Sequence, residues 1–402
     1  MKLHLNGTYG RTTTQVTNLL SSALIILFLF FSSMGCRNKS TTETQPAEAN
    51  ATAKTEIKYA KGFNIAYHEN YKIVTIGNSF DSSSIATRYI LLNRGQPVPE
   101  AYKNDVIVEI PIRSIVAMSS MYIGLLELLD SESIITGLSD LKYVYSEKVI
   151  QMIEAGKVSE IGHDNAINQE KLVNLRPDLV MTIGTPHATI NKFPILQAAN
   201  IPVMMNSEWV ETTPLARAEW VKLMAALLDK EELVNEKFTQ IEQEYHRLVS
   251  MTKNIEKKPT IISGQNNKDT WFIPGGDSYM AQFFQDAGGS YHWANQKKTG
   301  SIAMNFESVY PIALSADYWL HVGYMHTDTR ASIGAQDARY DDFKSFKSGN
   351  MYNYTHRVNT REANDYFESG NVQPQVVLAD LIKILHPDLL PNHTLVYYKK
   401  LD

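Results

Sequence analysis

Four histidines, His163, His187, His321 and His326, are the residues of this chain best suited to ligating a divalent metal. Zinc and its neighbours are held by imidazole and carboxylate groups that converge from several elements. These four form no His-rich loop, and no two of them stand four apart, the helical spacing that puts two imidazoles on one face. The run PGGDSYM at 274–280 is glycine-rich but lacks the Lys-Ser/Thr that a phosphate loop needs, and no Gly-x-Ser-x-Gly elbow occurs. With no nucleophile beside a base, no enzymatic activity and no cofactor are expected. Two acids stand out by position. Glu170 and Glu307 each follow an asparagine, Asn168 and Asn305, by two residues at the start of a helical stretch. There a carboxylate complements the helix dipole, worth about 0.3–1 kcal/mol.

The chain that must position these groups has 402 residues, 44% of them hydrophobic, and a net charge of -5. That is long enough for two domains with their own cores. No basic stripe with interleaved aromatics offsets the acidic balance, which argues against a nucleic-acid partner. The single cysteine, Cys36, follows the apolar run ALIILFLFF at 23–31. Nine apolar residues are too few to span a bilayer, which takes roughly 20, so residues 1–36 read as an export signal. Ser33, Met34 and Gly35 before Cys36 resemble a lipobox, which implies lipidation at Cys36 and a membrane anchor; the alternative is a soluble secreted protein. Residues 37–58 are polar and read as a disordered tether.

A β-rich leader follows at 59–109, with strands expected over 63–67, 71–76 and 106–110. Strands and helices then alternate. Strands fall at 114–118, 134–137, 179–183 and 201–205, with helices at 122–129, 149–155, 170–175 and 193–199. Such alternation argues for a parallel sheet with helices on both faces. A helix over 214–228 leads to Asp229 and Glu232, spaced as a capping box for a second helix over 230–254. In that second helix Val234, Phe238, Ile241, Tyr245 and Leu248 make one apolar stripe, and its length of ~37 Å is enough to join two domains. Beyond it the pattern resumes, with strands at 260–263, 271–273, 318–322, 351–354 and 395–398 and helices at 278–287, 306–314, 343–346 and 376–385.

An internal echo sharpens this division. Asn168-Gln169-Glu170 precedes Asp178, a strand and Gly184; Asn305-Phe306-Glu307 precedes Asp317, a strand and Gly323. The expected fold is α/β, two Rossmann-like lobes at 59–229 and 255–402 joined by one long α-helix at 230–254. Together with IPIRSIVAMSS at 110–120, these stretches resemble the periplasmic substrate-binding lipoproteins of ABC importers for iron-siderophores, haem and cobalamin. The class is the one with a single backbone helix, here in its Bacteroidetes-type variant.

The resemblance implies a monomer in the cell envelope that hands a small metal chelate to a permease dimer with its ATPase. An iron-siderophore leads, cobalamin or haem follow, and directly bound zinc or manganese is the remaining alternative. It implies that Glu170 and Glu307, one per lobe, face arginines of the permease. The cleft is expected past the carboxyl ends of the strands, where open α/β sheets bind ligands. Its candidate residues are Ser119, Ser120 and Tyr122, then His187 and Trp209, and on the second lobe Trp271, Tyr324 and His326. Of the arginines 330, 339, 357 and 361, Arg357 is the one expected to fork onto an anionic chelate.

Overall fold

The computed structural model describes residues 53–77, 86–163, 166–184 and 194–402. The expected export signal, Cys36, residues 37–52 of the expected tether and the candidate His187 lie outside the described residues.

Residues 53–58, expected to be tether, are instead held against the body. Lys222 Nζ donates to the Glu56 carbonyl at 2.6 Å and Asn235 Nδ2 to the Lys54 carbonyl at 2.8 Å. The buried Glu219 carboxylate then accepts the N–H groups of Lys58, Tyr59 and Ala60 at 2.9, 2.6 and 2.8 Å. The partners that order this polar segment are remote in the chain, so no local pattern reveals them.

The leader forms a four-stranded sheet of β1 (Phe63–Tyr67), β2 (Tyr71–Ile76), β3 (Thr87–Asn93) and β4 (Val106–Ile110), in that order, with β3 and β4 parallel. β3 was not expected, because its continuous apolar run does not alternate. On β2 the alternation buries Lys72 with Val74 and Ile76. Lys72 pairs there with Asp229 and Glu231, both at 2.6 Å.

The first lobe runs β5 (Ile115–Ala117), α1 (Met121–Leu128), β6 (Ile135–Leu138), α2 (Glu147–Glu154), β7 (Ser159–Glu160), α3 (Gln169–Leu175), β8 (Leu179–Ile183), α4 (Pro194–Ala198) and β9 (Val203–Asn206). Its five strands are all parallel in the order β7-β6-β5-β8-β9. The chain starts in the middle, winds to one edge, then returns and winds to the other. The order therefore reverses between β5 and β8, which makes that gap the switch point of a doubly wound sheet. β5 is buried at all three residues, as a central parallel strand must be.

Three helices follow, α5 (Pro214–Ala218), α6 (Val221–Leu228) and α7 (Glu231–Thr252). The single helix expected over 214–228 is divided. At the break, Trp220 N–H bonds to the Arg217 carbonyl and Lys222 N–H to that of Glu219, the tighter spacing of a 3₁₀ turn. The expected capping box is absent as well. Asp229 closes α6 with φ of 55° and gives its carboxylate to Lys72, and α7 starts with no side-chain cap. The apolar stripe of α7 is buried at every expected position. Its 22 residues span ~33 Å and lead into the second lobe.

That lobe runs β10 (Thr260–Ser263), β11 (Asn266–Asn267), β12 (Thr270–Pro274), α8 (Tyr279–Asp286), β13 (Ser290–Tyr291), β14 (Ser301–Asn305), α9 (Phe306–Ala313), β15 (Tyr318–Leu320), α10 (Arg330–Gly334), α11 (Lys344–Ser348), β16 (Met351–Asn353), α12 (Pro374–Leu385) and β17 (Lys399–Lys400). The main sheet is ordered β13-β10-β15-β16-β17, and only β17 is antiparallel. Here the switch point falls between β10 and β15. A smaller antiparallel sheet joins β11, β12 and β14.

The sequence echo is a structural one. Asp178 accepts the Arg113 N–H at 2.6 Å while its own N–H donates to Ser114 Oγ at 3.0 Å. Asp317 accepts the Thr260 N–H at 2.8 Å while its own N–H donates to Thr260 Oγ1 at 3.0 Å. In both lobes an aspartate before the strand at the switch point latches the start of the neighbouring strand, β5 or β10, and sets the parallel register. The fold is thus two Rossmann-like lobes joined by one long helix, with a β-rich leader.

Candidate functional site

The two switch points open onto one cavity of about 630 Å³. From the first lobe, Met118, Ser119 and Ser120 line it after β5, Ser139, Asp140 and Tyr143 after β6, and Ile183 at the end of β8. The second lobe adds Tyr324, Met325 and His326 after β15 and Thr355 after β16. The segment that follows contributes Val358, Glu362, Asn364 and Phe367.

The β15 turn is built to project its side chains. Gly323 adopts φ of 81°, and a Cβ there would meet the Asp328 carboxylate at 2.6 Å, so only glycine fits. Asp328 in turn accepts the N–H groups of Tyr324 and Met325 at 2.7 and 2.8 Å. With their backbone tied down, Tyr324 and Met325 remain about half exposed, at 56% and 49%.

Beneath this turn His321 is buried, with Nδ1 at 2.9 Å from Ser263 Oγ and Nε2 at 2.6 Å from Tyr398 Oη. Burial lowers its pKa to about 3, so the ring stays neutral and braces the turn from below. Both of its nitrogens are occupied, which removes it as a metal ligand. Among the described residues no group of three or more His, Cys, Asp or Glu could hold a metal ion.

Of the candidates drawn from the sequence, Ser119, Ser120, Tyr324 and His326 come together in the cavity. Tyr122 and Trp271 do not. Tyr122 belongs to a run of five consecutive buried residues of α1, Tyr122 to Leu126, and has no exposure. Trp271 is also fully buried, stacked on Trp319 with centroids 5.6 Å apart and ringed by Phe306, Tyr340 and Phe343. Strand alternation turns Trp271 inward and leaves Phe272 exposed in its place. Trp209 is half-buried and donates its indole N–H to the Gly184 carbonyl at 2.9 Å, outside the cavity lining. Arg357 also stands outside the cavity lining. Its Nε pairs with the buried Asp365 at 2.9 Å, and its guanidinium lies over the Tyr145 ring.

Sequence reasoning missed Asp140, Tyr143, Glu362 and Phe367. The strand-end rule reaches the first two if it is applied to β6. The other two sit on a long segment that only lobe packing brings to the cleft.

That segment also fastens the lobes together. Asn359 Nδ2 donates to the Val144 carbonyl at 2.9 Å, and Arg361 pairs with Glu154 at 2.8 Å. Glu368 accepts the N–H groups of Tyr145 and Ser146 at 2.9 and 2.8 Å. Burial pushes the Glu368 carboxyl up to about 8, helped by Glu127 and Asp365 and opposed by the two N–H donors.

The two acids of the echo occupy matching places. Asn168 Oδ1 caps α3 by accepting the Lys171 N–H at 2.9 Å, and Asn305 Oδ1 caps α9 by accepting the Ser308 N–H at 2.8 Å. Glu170 and Glu307 stand exposed in the first turns of these helices, which feed the switch-point strands β8 and β15. Glu307 lies 3.3 Å from Arg339, itself held by Asp337.

The sequence pattern of the periplasmic binding protein family matches residues 115–358. The chain belongs to this family. As a periplasmic binding protein it acts by binding a solute and not by transforming one. An uncharacterised lipoprotein of Methanocaldococcus jannaschii is 27% identical over 383 residues, 90% of this chain and 89% of its own. Two solved structures share the fold. Helicobacter pylori CeuE in a nickel–histidine complex has a TM-score of 0.54 at 14% identity, covering 79% of this chain and 90% of its own. A possible iron-binding periplasmic solute-binding protein from Staphylococcus epidermidis has a TM-score of 0.53 at 14% identity, covering 69% and 99%.

Proposed function

We propose that this binding protein captures a metal chelate between its lobes and delivers it to an ABC permease from the surface of a membrane, where lipidated Cys36 anchors it. One observation carries the ligand reading. Tyr143, Ile183, Tyr324, Met325 and Phe367, exposed at 55, 37, 56, 49 and 47%, all line the same cavity. They are five of the eight exposed large hydrophobic residues among the described residues. Apolar groups gathered in a concave site, with a few hydroxyls and amides among them, suit a bulky chelate of mixed polarity. The volume of about 630 Å³ lies within the usual range for small-molecule sites. Iron-siderophore, haem and cobalamin chelates all meet that description.

Glu170 and Glu307 are the proposed contacts to the permease. Exposed ion pairs contribute about 0–1 kcal/mol each, so this pair orients the docked protein more than it holds it. The long α7 and the bonds from residues 359–368 to the first lobe favour lobe closure by only a few degrees.

Intrinsic fluorescence titration with a ferric siderophore, haemin and cyanocobalamin tests the reading. Saturable binding of at least one is expected. Failure of all three, with tight binding of free zinc or manganese, would overturn it. Uptake assays with Glu170→Arg and Glu307→Arg combined should lose transport at unchanged ligand affinity, and normal uptake would remove the docking assignment.

A further inference from the structure

Most cations around the cleft are paired with the protein's own acids, and the described lining is left acidic. Among the described lining residues there are two carboxylates, Asp140 and Glu362, and no Lys or Arg. Lys142 pairs with Glu362 at 2.6 Å, Arg361 with Glu154 at 2.8 Å and Arg357 with Asp365 at 2.9 Å. Lys399 is engaged by the His326 carbonyl. Arg217 is buried against Glu208 and the Tyr279 ring. Asp140 is the exception. It accepts the Lys142 backbone N–H at 2.8 Å and forms no ion pair among the described residues. Asp140, Glu362 and Lys142 together carry a net charge of one negative unit, beside the apolar ring of Tyr143, Ile183, Tyr324 and Phe367.

We infer that the cleft selects chelates of neutral or positive net charge and rejects polyanionic ones. The inference rests on the chelate reading above and narrows it to a charge class. A polyanion entering this site meets Asp140, and no Lys or Arg among the described lining residues receives its charge; repulsion in a site partly shielded from water exceeds that in bulk. A cationic or neutral chelate covers the apolar ring and leaves Asp140 satisfied. The arginines that would have suited an anionic cargo act instead as fasteners between the lobes.

The test compares ferric complexes that differ in charge: a trihydroxamate bearing a free ammonium, a neutral trihydroxamate and a triply anionic tris-catecholate. Titrated into the full chain at low and high salt, the tris-catecholate should bind roughly tenfold or more weakly than either hydroxamate. The gap should shrink with added salt and with Asp140→Asn combined with Glu362→Gln. Equal or tighter binding of the tris-catecholate would overturn the charge selection while leaving the chelate reading intact. So would a gap that neither salt nor the double substitution moves. If no chelate binds, the chelate reading fails and this inference fails with it.

Discussion

Replacing Glu368 by glutamine should remove a pH dependence that the lobe interface imposes on the whole protein. The carboxyl is buried, and its pKa of about 8 compares with 4.5 in an exposed chain. Between those two values the unfolded chain is ionised at this position while the folded protein still holds the proton. Stability therefore falls as pH rises across that window, by about 1.4 kcal/mol per unit, and is level on either side. Over the whole interval the loss approaches roughly 5 kcal/mol, a large share of the 5–15 kcal/mol that a folded protein commands.

Glutamine is nearly isosteric with the protonated acid, but the N–H groups of Tyr145 and Ser146 bond separate oxygens, Oε2 and Oε1, so its one carbonyl oxygen serves one of them and its NH2 faces the other. At about pH 5 Glu368→Gln should thus be the less stable by about 1–3 kcal/mol, the cost of the N–H left without an acceptor. At about pH 8.5 that cost is set against the loss of roughly 5 kcal/mol, and Glu368→Gln should be the more stable by about 2–4 kcal/mol. Urea denaturation at a series of pH values measures the difference, with other titrating groups cancelling between the pair. A difference that stays constant with pH would refute the reasoning. It would mean that the two N–H donors outweigh burial and hold the carboxylate ionised throughout.

The remaining predictions concern residues whose roles differ from what their types suggest. Lys72→Met leaves Glu231 buried opposite an apolar chain and should cost about 3–5 kcal/mol in denaturant midpoint analysis, part of which Glu231→Leu in the same protein should restore. Trp271→Ala should cost about 3–5 kcal/mol of stability yet leave the chelate affinity of the folded protein unchanged. Tyr324→Ala should do the reverse, weakening chelate binding at a stability within ~0.5 kcal/mol of the parent.

Lobe architecture was legible in the sequence because the signals that build it are local. Asn168 and Asn305 cap helices, Asp178 and Asp317 precede strands, and Gly323 sits where the backbone turns left-handed. Each reports its own φ/ψ or its own helix end, so two copies could be aligned by eye. β3 escaped because a strand buried on both faces loses its period of two. The tether's inner end escaped because its order comes from Glu219, far along the chain.

The site divides along the same line. Position along a strand can be counted from sequence, which is why Ser119, Ser120, Tyr324 and His326 arrive at the cleft. The face a side chain takes depends on what packs above it, and that turned Tyr122 and Trp271 into core. Charge is harder still to read. Arg357 and Arg361 look like ligand forks until Asp365 and Glu154 are found opposite them. Asp140 looks like any loop aspartate until Lys142 is found spent on Glu362. Composition counts the charges of a cleft, but only the pairings decide which of them a ligand meets. Here they leave a carboxylate where the sequence had suggested a guanidinium.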